Sequence, residues 1–363
     1  MTLTDKPSDT QLAKIPAPWL TETVASVFGA LGFSAAAATV VAESLVAADL
    51  RGIGSHGVML VPMYVDRIQA GSVSCRERAE LVRDFGAIAV LDAGHALGQL
   101  TGEQAMRLAV QKARQYGVGA VTVRNAFHFG GGFRYVQQAA AEGCIGIATA
   151  NTRPLMPAPG GAAPVVGNNP VAIGVPQPGS DPVILDLALS EAALGKIRLA
   201  AGEGKAIPAT WATDNQGRPT TDPEAAIDGL LLPTGGHKGY GLALMVDVLA
   251  GVLSGGGYGH HVMGLYADMS VPNNCAHFFL ALDVAAFGDA AGFGQRLTDL
   301  ADQVRSSKRA AGVDTVHLPG DLSSARYTQA LAEGVALEPS VLSQLRATAA
   351  AVGVPVGDPP PLR

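Results

Sequence analysis

Arg51-Gly52-Ile53-Gly54-Ser55-His56-Gly57 is the stretch that decides the fold class. Its glycines spell G-x-G-x-x-G, the dinucleotide fingerprint, which has that meaning only between a strand and a helix, with an acidic residue about 20 positions later. The preceding residues 35–44 are rich in alanine and favour a helix by propensity and spacing. We therefore reject a Rossmann fold for this loop.

The same stretch combines groups that suit catalysis. Arg51 can hold a carboxylate through two parallel hydrogen bonds, and His56 can give or take a proton near neutral pH. The glycines let a ligand approach the backbone closely. Together these groups predict the reduction of a 2-oxo acid. The alternative is a helix C-cap whose glycines only end the helix.

Outward from this loop, the N-terminal part of the chain is predicted to be helical, and the part that follows is predicted to contain both strands and helices. Two helices between residues 17 and 50 meet near Gly32-Phe33-Ser34, where Ser34 can cap the second, and helical spacing that includes Tyr64 continues over residues 58–70. From residue 79 onward, short apolar runs predict strands at 87–92, 119–123, 145–150, 171–175, 183–187 and 278–283. Helices fall between them without strict alternation, so we expect an α/β fold with a mixed sheet.

Local signals mark the later helices. Ser190 is predicted to cap a helix through Leu199, and Asp222-Pro223 has the residues of a helix start. The strongest helical pattern runs over residues 239–254, and the last helix is expected over 340–352.

Composition limits the classes of function. A length of 363 residues makes two domains the default, and a net charge of -6 without a basic run argues against nucleic acid. No apolar segment is long enough for a membrane span, and the polar N-terminus lacks a secretory apolar core, so we expect a cytoplasmic protein. Three scattered cysteines and no H-E-x-x-H motif indicate neither a disulfide framework nor a metal site.

Further stretches could carry chemistry, each with a plain structural alternative. Residues 125–132 hold His128 and a glycine run that could bind an anion at a helix N-terminus, or could simply connect a strand to a helix. Asn168-Asn169 could hold a ribose or make a turn, and Asp186 ends an apolar strand as a site residue or a cap. Lys238 at a helix start indicates anion binding, against the alternative of a solvated lysine.

The order of these motifs resembles the malate/L-lactate dehydrogenase family of the second type, also called the L-sulfolactate dehydrogenase-like family. The resemblance rests on seven pieces in order between residues 20 and 345: 51–57, 125–130, 167–170, 184–190 with 195–197, 220–223, 236–241 and 318–321. Each piece is weak alone, and the ordered set is specific.

The resemblance implies an oxidoreductase that uses NAD or NADP on a small carboxylate substrate. It implies a non-Rossmann, mixed-sheet NAD(P)-binding domain at residues 76–292 and a helical domain from residues 1–75 and 293–363. It also implies a homodimer whose site the partner chain completes. His56 resembles the family's proton donor and Arg51 its carboxylate clamp, while His128 has the acid-base role in some members. We expect Ser55 or Asp186 to orient the acid-base group. The expected cofactor contacts are Asn169, Ile184, Leu185, Asp186, Leu187, Ala188, Ser190, Lys238, Gly239, Leu318, Pro319 and Gly320.

Two departures from the family pattern concern the substrate. Ala126-Phe127 stands where members usually carry a polar pair, so the substrate pocket is expected to be reshaped, and Asp321 replaces a glutamate. The leading hypothesis is hydride transfer at C2 of a 2-hydroxy or 2-oxo acid. The alternatives are a cyclic imino acid reductase of the piperideine- or pyrroline-2-carboxylate type and a binding protein without turnover. A metal-dependent lyase would need activity that is lost on chelation.

Overall fold

The computed structural model describes residues 12–362. Residues 1–11 and 363, which the sequence assigns to the helical domain, lie outside the described residues. The α-helices in chain order are α1 (Ala17–Ala30), α2 (Ala35–Leu50), α3 (Val61–Gln69), α4 (Gly98–Tyr116), α5 (Phe133–Ala141), α6 (Leu194–Gly202), α7 (Pro223–Ile227), α8 (His237–Asp247), α9 (Val284–Phe287), α10 (Ala290–Arg305), α11 (Asp321–Glu333) and α12 (Pro339–Ala351).

The strands form one large mixed sheet and three small pairs. They are β1 (Ala13–Ile15), β2 (Glu80–Phe85), β3 (Ile88–Asp92), β4 (Val118–Ala126), β5 (Cys144–Ala150), β6 (Met156–Pro157), β7 (Pro164–Val166), β8 (Val171–Val175), β9 (Val183–Leu187), β10 (Ala212–Thr213), β11 (Leu230–Leu231), β12 (Cys275–Asp283) and β13 (Val335–Leu337). The large sheet has seven strands in the order β2-β3-β4-β12-β5-β8-β9. Only β3 and β4 pair in parallel, so the predicted mixed sheet is confirmed.

The loop of residues 51–57 does not lie between a strand and a helix of a Rossmann unit. Helix α2 precedes it, with Arg51 as its C-cap, and a 3-10 turn at Gly54–His56 follows. The rejection of the Rossmann reading is therefore confirmed. The predicted cap of α2 is also present, since the Ser34 hydroxyl accepts a hydrogen bond from the Ala37 amide at 3.3 Å.

The N- and C-terminal helices share one apolar core. Leu20 and Phe28 of α1 and Leu45 of α2 are fully buried in a cluster that also contains Leu345 and Ala349 of α12. A separate cluster lies between the large sheet and helices α4 and α5. We propose the division at residues 75/76 and 292/293 because burial of one apolar face against another is what holds each unit together.

One helix prediction needs correction. Ser190 caps no helix, because it forms an isolated β-bridge with Pro233 and α6 begins only after Ala193. The predicted helix over residues 239–254 is confirmed, since α8 continues through the π-helical segment Val248–Val252 to Ser254. The predicted start at Asp222-Pro223 is confirmed, with the Asp222 carboxylate accepting from the Glu224 amide at 3.0 Å.

No helix within residues 12–362 is long and apolar enough to cross a membrane.

Candidate active site

A buried carboxylate holds the loop that carries His56. The Asp49 carboxylate at the end of α2 accepts a hydrogen bond from the Val58 amide at 2.8 Å. A Cβ atom on Gly57 would overlap that carboxylate, so the position requires glycine. Burial raises the pKa of Asp49 to about 7, against a smaller lowering by the Val58 hydrogen bond. The glycine is therefore part of the scaffold that places His56.

The structure brings His56 and His128 together. Their ring centroids lie 5.4 Å apart, and the Ser55 hydroxyl lies 3.0 Å from Nδ1 of His56. Burial lowers the pKa of His56. Burial also lowers the pKa of His128 well below its usual range, with the neighbouring His56 and His277 adding to the shift. Two neutral imidazoles side by side can accept a proton from a substrate hydroxyl.

Tyr64 and Gln99 fix the orientation of His128, and the sequence did not identify this role. The Tyr64 hydroxyl lies 2.6 Å from Nδ1 of His128 and accepts a hydrogen bond from the Gln99 amide at 2.8 Å. Because Gln99 supplies a donor, the Tyr64 O–H donates to Nδ1, which leaves the proton of neutral His128 on Nε2. Helical spacing predicted only a core position for Tyr64. The contact joins residues 64 positions apart.

Phe127, which departs from the family pattern, is buried beside His128. Its side chain is 1% exposed, and its ring packs at 5.2 Å, edge to face, against Tyr64. The Cζ atom of the Arg67 guanidinium lies 5.9 Å from the centroid of the Phe127 ring. Phe127 therefore supports the residues behind His128, since buried aromatic pairs favour this edge-to-face geometry.

A second group of predicted residues lines one cleft of about 180 Å³. The predicted residues that meet there are Arg51, Ile184, Leu185, Asp186, Pro319 and Gly320. They are joined by Ile53, Phe133, Ser323 and Ser324. We call this cavity the Arg51 cleft. Neither His56 nor His128 is among its lining residues, which separates the expected carboxylate clamp from the expected proton donors.

Asp186 binds a helix rather than a histidine. Its carboxylate accepts a hydrogen bond from the Phe133 amide at 2.8 Å, at the N-terminus of α5. Burial raises the pKa of Asp186 to about 6, while hydrogen bonds from Phe133 and Gly132 and the charge of Arg51 oppose that shift. The helix N-terminus proposed as an anion site in residues 125–132 is thus filled by the protein's own carboxylate. Asp186 therefore does not contact either histidine ring, whereas Ser55 and Tyr64 do, and we propose that these two residues orient the acid-base groups.

Asn169 is committed to the backbone. It is fully buried, its carbonyl oxygen accepts from the Thr152 amide at 2.8 Å, and its amide donates to the Ala243 carbonyl at 2.8 Å. Both ends of the side chain are therefore hydrogen-bonded within the chain, and the expected cofactor contact of Asn169 stays a prediction.

The other expected cofactor residues lie outside the lining of the Arg51 cleft: Leu187, Ala188, Ser190, Lys238, Gly239 and Leu318. Lys238 is exposed in the first turn of α8, and no carboxylate within residues 12–362 forms a salt bridge with it. The Ser190 hydroxyl is buried without a hydrogen-bond partner in the described part of the chain. Among the described residues, no group of three or more metal-ligating side chains comes together.

Comparison with known proteins gives one consistent result. The sequence profile of the malate/L-lactate dehydrogenase family matches residues 15–346. Malate dehydrogenase from Pyrococcus abyssi is 36% identical over 354 residues, which is 95% of this chain and 97% of that protein. The crystal structure of malate dehydrogenase from Entamoeba histolytica superposes with a TM-score of 0.90 at 30% identity, covering 96% of this chain and 100% of that one.

Relatives with other names differ in substrate and cofactor. The (2R)-3-sulfolactate dehydrogenase (NADP(+)) of Chromohalobacter salexigens is 34% identical over 86% of this chain and 91% of that protein. The ureidoglycolate dehydrogenase (NAD(+)) of Escherichia coli O157:H7 is 35% identical over 85% of this chain and 88% of that protein. The structure of delta1-piperideine-2-carboxylate reductase from Pseudomonas syringae has a TM-score of 0.83 at 28% identity, covering 93% and 99% of the two chains.

Proposed function

The chain belongs to the malate/L-lactate dehydrogenase family, and we propose that it transfers a hydride between a nicotinamide cofactor and C2 of a small 2-hydroxy or 2-oxo acid. The family establishes the coarser statement, that the protein is an NAD(P)-dependent oxidoreductase. The observation that carries the finer proposal is the pair of adjacent imidazoles, His56 and His128, with centroids 5.4 Å apart.

His56 is the proposed proton acceptor in oxidation and proton donor in reduction. The Ser55 hydroxyl occupies its Nδ1, which leaves Nε2 to exchange a proton with the substrate oxygen at C2. The nicotinamide, when bound, takes or supplies the hydride at that carbon. His128 is held by Tyr64 through Nδ1 in the same way, so it shares the proposal as the second acid-base group.

The Arg51 cleft suits the cofactor. Two of the expected cofactor segments, Ile184 to Asp186 and Pro319-Gly320, meet there, and the buried Nη1 atom of Arg51 lacks a hydrogen-bond partner within the described chain. Gly320, with φ of 95°, brings its backbone so close that a Cβ would meet the Ile184 carbonyl oxygen at 3.0 Å. We propose that Ile184 to Asp186 and Pro319-Gly320 hold NAD or NADP. Both cofactors are proposed because one relative is named for NAD(+) and another for NADP(+).

A reductase for cyclic imino acids is the second candidate, because the piperideine-2-carboxylate reductase shares the fold. Purified protein with a panel of 2-oxo acids and cyclic imines, followed by NADH and NADPH absorbance, separates the two. Faster turnover of a 2-oxo acid supports the first function. Turnover of imines alone supports the second, and tight cofactor binding without turnover of either class supports a non-catalytic binding protein.

A homodimer is the proposed assembly, and the exposed apolar face of α8 and of the π-helical segment that continues it supports this proposal. Seven large apolar side chains between residues 242 and 253 are each between 38% and 60% exposed: Leu242, Leu244, Met245, Val248, Leu249, Val252 and Leu253. A contiguous patch of this kind on a helix marks a protein interface, and a self-complementary patch suits a second copy of the chain.

Leu249→Asp is expected to convert the dimer to a monomer, because it places a charge in the buried centre of the interface. Light scattering after size exclusion should show the mass halving. Leu331→Asp, at a leucine of α11 that is 52% exposed, is the matched control and should leave the mass unchanged. A wild-type protein that elutes at the mass of a single chain contradicts the proposed dimer.

A further inference from the structure

Arg51 has a free hydrogen-bonding group in an enclosed place. The residue is 7% exposed, and its Nη2 donates to the side-chain Oε1 of Gln137 at 3.0 Å. Its Nη1 has no partner among residues 12–362. The guanidinium lies between two rings, 4.6 Å from the centroid of Phe133 and 4.5 Å from that of Tyr327. A buried cation held in one position with an unused donor is costly unless a ligand completes it.

The N-terminus of α11 faces the same cleft. This helix of 13 residues begins after Gly320, and no side chain caps it. Ser323 and Ser324 in its first turn line the cleft opposite Arg51. Free amides and the helix dipole favour an anion at such an end. The cleft thus combines a fixed guanidinium, a helix N-terminus and two hydroxyls.

The carboxylates at the cleft already have partners. Asp186 accepts from the Phe133 amide at 2.8 Å, and Asp321 pairs with Arg305 at 3.1 Å and accepts from the Leu318 amide at 2.9 Å. None of the salt bridges within the described residues involves Arg51. The groups in the cleft that still lack a hydrogen-bond partner are therefore donors, and an anionic ligand would supply the acceptors.

We propose that the Arg51 cleft binds a phosphate group of the nicotinamide cofactor, with Nη1 of Arg51, the N-terminus of α11 and the hydroxyls of Ser323 and Ser324 as its donors. The inference rests on the proposed function and changes one part of it: Arg51 serves the cofactor instead of the substrate carboxylate. The phosphate is either the pyrophosphate common to NAD and NADP or the 2′-phosphate of NADP, which the probes below distinguish.

Binding without substrate tests the subsite. In Arg51→Met, calorimetric titration should show the Kd for NADPH raised about 10- to 100-fold, as expected for a lost charge-assisted hydrogen bond, and the Kd for NADH raised equally if the cleft binds the pyrophosphate. ADP weakened to a similar degree assigns the pyrophosphate, whereas weakening limited to NADPH and 2′-AMP assigns the 2′-phosphate. At saturating cofactor, the KM for the acid substrate should stay at the wild-type value.

Two further variants provide a second test of the subsite and a control. Ser324→Asp should also weaken the same probes, and a carboxylate in the first turn of a helix favours folding, so a lost fold cannot explain the result. Arg107→Met removes the same charge from an exposed position on α4, away from the cleft, and should bind every probe like the wild type. Circular dichroism confirms that each variant is folded.

The proposal is overturned if Arg51→Met and Ser324→Asp bind NADH, NADPH, ADP and 2′-AMP like the wild type. A raised KM for the acid with unchanged cofactor binding would return Arg51 to the substrate. If the wild type binds cofactor and the variants lose it, yet no acid or imine is turned over, the subsite stands and only the proposed function fails.

Discussion

Replacing His56 by alanine is expected to lower kcat by about 10²- to 10⁴-fold, the usual contribution of a positioned acid-base group. The imidazole lies beside His128 and is oriented by Ser55, which leaves its Nε2 free to exchange a proton with the substrate. Steady-state rates at saturating acid and cofactor give the measurement. His260→Ala, at an exposed histidine, is the matched control and should retain wild-type turnover. If His56→Ala and His128→Ala both retain it too, the site is misassigned.

The pH profile of the wild type belongs to the same prediction. Burial lowers the pKa of both histidines below the ordinary value of 6.5, so both rings are neutral at pH 7. A neutral ring accepts a proton, and oxidation of the hydroxy acid should therefore stay level around pH 7. It should fall only as the pH drops below 6.5 and the rings become protonated. Reduction, which needs a protonated donor, should gain rate in that acidic range.

Arg67→Met is expected to lower the free energy of unfolding by about 3–5 kcal/mol, because several buried acceptors lose their donor at once. The Arg67 side chain is fully buried, and its guanidinium donates to the carbonyls of Leu265 at 2.8 Å, Val271 at 2.9 Å and Gly264 at 2.8 Å. It thereby fastens the loop before β12 to α3, the helix that carries Tyr64. Denaturant unfolding measures the change.

Arg107→Met is the control for Arg67→Met. Its side chain is 63% exposed and pairs with Glu103 at 3.9 Å, so its loss should change the free energy of unfolding by less than about 0.5 kcal/mol. An Arg67→Met protein that unfolds at the wild-type denaturant concentration would show that the loop is held by other contacts.

The sequence predicts helix starts and strand bounds correctly where contacts between neighbouring residues determine them. Ser34 and Asp222 cap their helices because a side-chain oxygen reaches an amide two or three residues later. The strands β8 and β9 have the predicted bounds and pair directly, as their close spacing indicated. The resemblance to the malate/L-lactate dehydrogenase family is likewise confirmed.

Elements without a clear local pattern were missed or misplaced. Strand β2 is exposed along its whole length and shows no apolar alternation, so no signal marked it. Helix α11 has no buried residue, which removes the apolar stripe that periodicity detects. Ser190 has the right residue type for a cap, but its β-bridge to Pro233 holds it extended.

The candidate site was predictable in its residues and not in its connections. His56 and His128 were both identified, and the contact between them was not. Tyr64 and Gln99 looked like core residues, because the hydrogen bonds that give them a role cross 64 and 35 positions of sequence. The chemistry of a guanidinium favours Arg51 as a clamp for the substrate carboxylate, and the sequence alone does not show that its free nitrogen belongs to a cleft that neither histidine lines.

Transfer of deuterium tests the central claim most directly. NADH and NADPH deuterated at the reactive carbon of the nicotinamide are incubated with the protein and a small 2-oxo acid, and the product is examined by NMR. We predict deuterium on C2, the carbon that bears the carboxylate, and at least a hundredfold slower labelling in His56→Ala, in line with the loss of an acid-base group. Bound cofactor without any label on the acid would contradict the proposed function.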